Sequence, residues 1–126
     1  MLAPIPSVML KDEAVFHVPV SLDAYQKPVY EHYAVSHVHI QNSNEVRRSS
    51  TNEEVVLAAI LFVDGIRSTP AYDYMSLMAQ AEAVGADMTV TVTEAGGNSN
   101  EYTVSIVDAV PDVPANRTHH TEIGLV

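Results

Sequence analysis

The chain contains no cysteine and no tryptophan. The absence of cysteine excludes disulfides, thiolate metal sites and a thiol nucleophile. Basic residues are scarce: six Lys and Arg stand against sixteen Asp and Glu, for a formal net charge of −10. Phosphate affinity comes mainly from Lys and Arg, which argues against general DNA binding. An acidic surface suits simple solubility, or a wall past which DNA slides without adhering. The few cations are also unevenly placed. Beyond Arg67 the sequence holds one more, Arg117, against eight acids. Long apolar runs are missing too. The longest, "VVLAAILFV", falls well short of the roughly 20 residues of a membrane-spanning helix. The opening "MLAPIPSVMLKDE" lacks the basic start and long apolar stretch of a signal peptide, so a protein made and used in solution, with no membrane partner, is expected. There is no Gly-x-Ser-x-Gly elbow, and "EAGGNSN" lacks the lysine and spacing of a phosphate loop.

What is present suits one domain spanning residues 1–126. A globule of this length buries roughly two thirds of the surface its unfolded chain exposes, enough for a core without staples. Hydrophobic residues make up 47 % of the sequence.

The patterning is mostly β. "SVML" and "AVFHVPV" flank the polar turn "KDE" and read as a first strand or hairpin. "SLDAYQKPVYEHY" reads as a loop leading into a strand "YAVSHVHIQ", in which His37 and His39 share a face by two-residue alternation. The polar stretch from Gln41 to Glu53 is long for a hairpin loop, and its lack of apolar anchors predicts disorder in a free monomer. "EVVLAAILFVD", apolar on both faces and rich in β-branched residues, reads as one central strand.

One helix is predicted in "STPAYDYMSLMAQAEAVG". Ser68 or Thr69 would cap it, Pro70 would sit in its first turn and Gly85 would end it. Tyr74, Leu77, Met78 and Ala81 form its buried stripe. "DMTVTVT" and "EYTVSIVDAV" alternate as strands, the latter with Tyr102, Val104 and Ile106 facing together. "THHTEIGLV" ends the chain as a last strand. The fold class is therefore mainly β: a small barrel or sandwich with one short helix and a long loop between the second and third strands.

Candidates for chemistry are few. His37 and His39, with His119 or His120 and the carboxylate of Glu122, would make a metal site on a small β-barrel enzyme. The plainer reading is half-exposed strand histidines and no metal or other cofactor. His119 and His120, being adjacent, are expected on opposite faces of their strand. Asp64 and Asp108 each end a predicted strand, as an acid/base pair or, more commonly, as turn formers. Arg47 and Arg48 are a third of all basic residues. They mark either a solvated loop tip or a docking or DNA-facing element.

Three segments in order, "YQKPVYE", "ILFVDGIRSTP" and "HHTEIGLV", resemble the small minor capsid proteins of tailed phages and prophages of Gram-positive bacteria, over residues 24–126. The helical "YDYMSLMAQAEAVGADM" departs from that family, many of whose members have a plainer turn there. That family resembles head-closure (stopper) proteins. The resemblance implies a small β-barrel, not an enzyme, that assembles as a ring of six in the virion neck after synthesis in the host cytoplasm. Its partners would be copies of itself, the portal and adaptor complex, a tail-completion or tail terminator protein, and viral DNA passing non-specifically through the channel. The implied gate is the loop carrying Gln41, Asn42, Asn44, Glu45, Arg47, Arg48, Asn52 and Glu53. The terminal strand, with His119, His120, Glu122, Ile123 and Leu125, is expected at an edge used within the subunit or by a neighbour. A tail-completion subunit of the same virion is the alternative place on the phage axis.

Overall fold

The computed structural model describes residues 7–48, 53–65, 67–112 and 117–126. A 3-10 turn at Ser7–Met9 precedes β1 (Asp12–Leu22), β2 (Pro28–Asn42), β3 (Val46–Arg48), β4 (Glu54–Val56), β5 (Ala59–Asp64), α1 (Tyr74–Val84), β6 (Thr89–Thr93), β7 (Ser99–Asp112) and β8 (Arg117–Leu125). Six of these strands close into an antiparallel barrel in the order β1–β2–β5–β8–β7–β6, with β6 returning to pair with β1. Closure leaves the barrel wall without a free edge. β3 and β4 pair with each other as a separate two-stranded ribbon. The fold is thus the mainly-β small barrel with one short helix that the patterning suggests.

Alternation fills the barrel. Phe16 and Val18 of β1, Val90 of β6, Leu61 of β5 and Ile123 and Leu125 of β8 are all inaccessible to solvent. A second, smaller apolar cluster lies on the outside of the wall, where Leu57, Ile60 and Ile106 pack with Val55 and Phe62. β5 therefore has an apolar environment on both faces, as its composition suggests. α1 packs its Tyr74, Leu77, Met78 and Ala81 stripe on the barrel core, with the Tyr74 ring 5.0 Å from that of Phe16. Gly85 ends the helix in the left-handed conformation.

Several expectations change. Ser7–Met9 is a 3-10 turn rather than part of a strand, and β1 begins within the "KDE" segment. Asp12 anchors that start: its carboxylate accepts from the amides of Ile40 and Ala95, each at 3.0 Å. The loop expected over residues 21–33 shrinks to a tight turn, because Asp23 Oδ1 accepts from the amides of Tyr25 and Lys27 at 2.8 and 3.0 Å and lets β2 start at Pro28. The helix is capped by Asp73, whose carboxylate takes the amide of Ser76. Ser68 is instead buried, bridging the Asp64 amide and the His37 carbonyl.

"EVVLAAILFVD" is not one strand. It breaks at Leu57 and Ala58, so that β4 leaves the wall and β5 stays in it. Parts of the Gln41–Glu53 segment are strand, and its residues 49–52 lie outside the described residues. Gln41 and Asn42 finish β2, and Val46–Arg48 pairs with Glu54–Val56. Asn52 lies outside the described residues. In β7 a register shift between Val104 and Ile106 turns Val104 and Val107 inward and Ile106 outward, undoing the simple Val104–Ile106 alternation.

Candidate functional site

The ribbon of β3 and β4 lies against the outer wall of the barrel, and its two faces differ. Arg47 opposes Val55 and Val46 opposes Val56, with Arg48 opposite Glu54. Alternation sends Arg47 and Val55 toward the wall and leaves Val46 (55 % exposed), Val56 (63 %), Arg48 and Glu54 outside. Val55 joins the outer apolar cluster, which anchors the ribbon by burial.

Arg47 anchors it by charge. Its Nε donates to Glu45 Oε1 at 2.9 Å, its Nη1 to Asp108 Oδ2 at 2.8 Å and its Nη2 to Glu122 Oε1 at 2.8 Å. The guanidinium thus spans three elements: the ribbon itself, β7 and β8. Its planar fork is what permits three carboxylate partners at once. Hydrogen bonding to Glu45, then to Glu122, raises the Arg47 pKa beyond its already high ordinary value, against the opposing effect of burial. Burial pushes the Glu122 carboxyl up, but hydrogen bonds and charge from Arg47 and His120 outweigh it and hold Glu122 below the usual carboxylate value.

The chain of contacts continues from Glu122. Its Oε2 lies 3.1 Å from His120 Nε2, and His120 Nδ1 lies 2.7 Å from His119 Nδ1, the two rings meeting edge to face. This corrects the expectation that adjacent histidines face opposite ways. β7 pairs Val110 with His120 but Pro111 with Thr118, so His119 is an extra residue in the β8 ladder, and the bulge lets both rings meet. Gly65 holds that bulge closely. Its amide donates to the His119 carbonyl at 2.9 Å, and an added Cβ would stand 2.2 Å from the Thr118 carbonyl oxygen.

The structure therefore joins two groups of residues that the sequence suggests separately. Glu45 and Arg47 of the ribbon meet His120 and Glu122 of the terminal strand, with His119 one contact further on. Ile123 and Leu125 do not join them: both are fully buried inside the barrel, so neither forms a surface for a neighbour in this fold. Gln41, Asn42, Asn44 and Glu53 are exposed and lie outside the clamp, and Arg48 pairs with Glu54 at 3.5 Å. Asp108, expected at a strand end, sits within β7 as an Arg47 partner. Asp64 is a turn former: its Oδ2 accepts from the Arg67 amide at 2.8 Å.

The histidines weighed as the alternative metal set are not gathered. His37 occupies a bulge with φ of 62°, which breaks the alternation with His39 and leaves His37 exposed. His39 stacks on Phe62 at 6.0 Å between ring centres, and Phe62 lies 6.2 Å from His120 on its other side. Among the described residues no group of three or more His, Asp and Glu could hold a metal ion. What the arrangement can do is mechanical: a short ribbon is held to a closed barrel by one guanidinium fork and one apolar cluster.

Sequence reasoning missed the ribbon and the pairing of Arg47 with Asp108. Two signals point to them. "EVRR" and "EVV" carry β-branched residues on either side of the polar sequence "SSTNE", a pattern compatible with a hairpin. Ile60 and Phe62 are apolar on the outward side of β5, which calls for a cover. No protein-family model matches this chain, and neither a curated protein nor a solved structure matches it.

Proposed function

We propose that this chain is a structural subunit of a tailed-phage virion, a head–tail connector of the stopper type that forms a ring below the portal and adaptor. In this role it closes the DNA channel after packaging and docks the tail. The observation that carries the reading is the clamped ribbon. A gate needs an element that stays in place by few, discrete contacts and moves without unfolding its support. β3 and β4 fit this: the barrel closes without them, and Arg47 ties them to its wall through Asp108 and Glu122.

Two further points support it. Two of the three segments that carry the family resemblance meet in space: Asp64 of "ILFVDGIRSTP" pairs with His120 of "HHTEIGLV", and Gly65 bonds to His119. The net charge of −10 suits a ring lumen past which phosphate slides without adhering. No reactive constellation is needed for the role; the chemistry is reversible packing and ion pairing.

The test is negative-stain microscopy of particles from a lysogen in which this gene is disrupted. Filled or leaking heads beside free tails are expected. Intact, closed heads with unfinished tails would move the chain to a tail-completion role, and normal infectious particles would overturn the connector reading.

A further inference from the structure

Two surface features lie apart from the clamp. The first is an arm. β1 has β6 beside it only as far as His17, and β2 has β5 beside it only from Val38, yet β1 and β2 pair with each other out to Leu22 and Pro28. The outer part of this hairpin exposes Leu22, Val29 and Tyr30, and its turn exposes Tyr25 to 85 %. The turn is fixed by the two amides that Asp23 Oδ1 accepts and by the Asp23 amide donating to the Lys27 carbonyl at 2.9 Å. Tyr25 is thus an apolar, aromatic side chain displayed on an ordered support, which lowers the entropy lost on binding. Lys27, two residues on, is exposed and its ammonium group joins no ion pair among the described residues.

The second is a cleft of about 340 Å³ between α1 and β7. Met75, Met78 and Ile106 supply apolar lining, and Arg48, Glu82 and Asp108 stand at its margin. Methionines adapt their shape to an entering side chain. Asp108 is engaged by Arg47, and Arg48 by Glu54. Glu82 is exposed, and among the described residues no cation engages its carboxylate.

We propose that this cleft receives Tyr25 from the arm of a second copy of this chain, with Lys27 of the arm pairing with Glu82. Charge selects that occupant. Two copies of a chain carrying −10 repel unless the contact joins a neutral or cationic surface to an acidic one. Residues 21–30 hold one acid, Asp23, which faces its own turn, and one base, Lys27. This arm is a place where a second copy approaches with little repulsion, and it presents an unpaired cation to an unpaired acid. Arm and cleft are different surfaces, so the contact is head-to-tail and generates a ring when the rotation closes. One aromatic side chain and one ion pair make a weak pairwise contact; ring closure multiplies it. The inference rests on the connector reading and supplies its contact between subunits.

The test is sedimentation velocity of the full chain over a concentration series, with Tyr25→Ser, Lys27→Glu, and the double variant Lys27→Glu with Glu82→Lys. Both single changes lie on exposed side chains, and circular dichroism confirms an unchanged fold. The wild type is expected to assemble, each single variant to require at least about tenfold higher concentration, and the double variant to regain wild-type assembly. A wild type that stays monomeric, a Tyr25→Ser chain that assembles normally, or a double variant without recovery overturns the contact. A ring indifferent to these changes leaves the connector reading standing. Normal particles from the disrupted lysogen overturn the connector reading whatever sedimentation shows.

Discussion

Arg47 Nη2 stands 2.8 Å from Glu122 Oε1, joining a three-residue strand of the outer ribbon to the last strand of the barrel across 75 positions of sequence. The same guanidinium reaches Asp108 on β7, so one side chain ties the ribbon to two neighbouring wall strands. Removing it leaves carboxylates facing one another with no cation between them.

Arg47→Ala is therefore expected to lower stability by about 2 kcal/mol, the range for hydrogen bonds to charged groups. Arg47→Lys is expected to recover only part of this, because an ammonium cannot reproduce the fork. Urea denaturation measures the loss. Hydrogen exchange locates it: protection at Val46–Arg48 and Glu54–Val56 falls while that of β5 and β8 holds. Unchanged ribbon protection would contradict the clamp.

The clamp has a pH dependence of definite sign. Glu122 titrates below its ordinary value of 4.5 in the folded chain. Its contribution is complete above that ordinary value and is lost as pH falls through the lower folded value. Ribbon exchange is expected to accelerate on acidification through that window, and Glu122→Gln is expected to abolish that part of the response. A wild-type response unchanged by Glu122→Gln would assign the acid sensitivity elsewhere.

Two glycines of the β8 region separate backbone from side-chain crowding. At Gly65 an added methyl meets the Thr118 carbonyl oxygen at 2.2 Å, a backbone atom that cannot turn aside. At Gly124 it meets Leu57 Cδ2 at 2.9 Å, the end of a side chain that can. Gly65→Ala is expected to cost about 3 kcal/mol and Gly124→Ala about 1 kcal/mol, toward opposite ends of the range for overpacking. Thermal unfolding of both variants gives the order; the reverse order would show that the bulge at His119 is not tightly held.

The Tyr74 hydroxyl is buried and makes no hydrogen bond among the described residues, and burial raises its pKa. An unsatisfied buried donor is a cost that phenylalanine removes while keeping the ring contact with Phe16. Tyr74→Phe is expected to stabilise the chain by about 1 kcal/mol in denaturant titration. A loss of stability would show that the hydroxyl has a partner in solution.

Much of the barrel is legible in the sequence because β6, β8 and α1 follow simple periods. "TVTVT" alternates, "EIGL" places Ile123 and Leu125 inward, and Tyr74, Leu77, Met78 and Ala81 recur at helical spacing. The failures cluster where a single residue shifts the period. His37, Ser105 and His119 are each an extra residue in a ladder, and each moves its neighbours to the opposite face. Composition does not mark such bulges, since the amino acids at them are ordinary strand residues. The clamp was half legible. Arg47 and Glu122 both stand out as charges beside apolar residues, but their meeting depends on the break at Leu57 and Ala58, where an apolar run that reads as one strand divides between ribbon and wall.

The most direct test of the connector reading is to locate the protein in the particle. A small gold-binding tag inserted in the exposed turn at Gly96, where an added side chain meets nothing within 4 Å, is expected to be accommodated, with Gly97 kept for its φ of 90°. Electron microscopy of purified tagged particles is expected to show label at one position, the junction of head and tail, on each particle. Label spread over the shell or along the tail, or particles without label, would contradict the account.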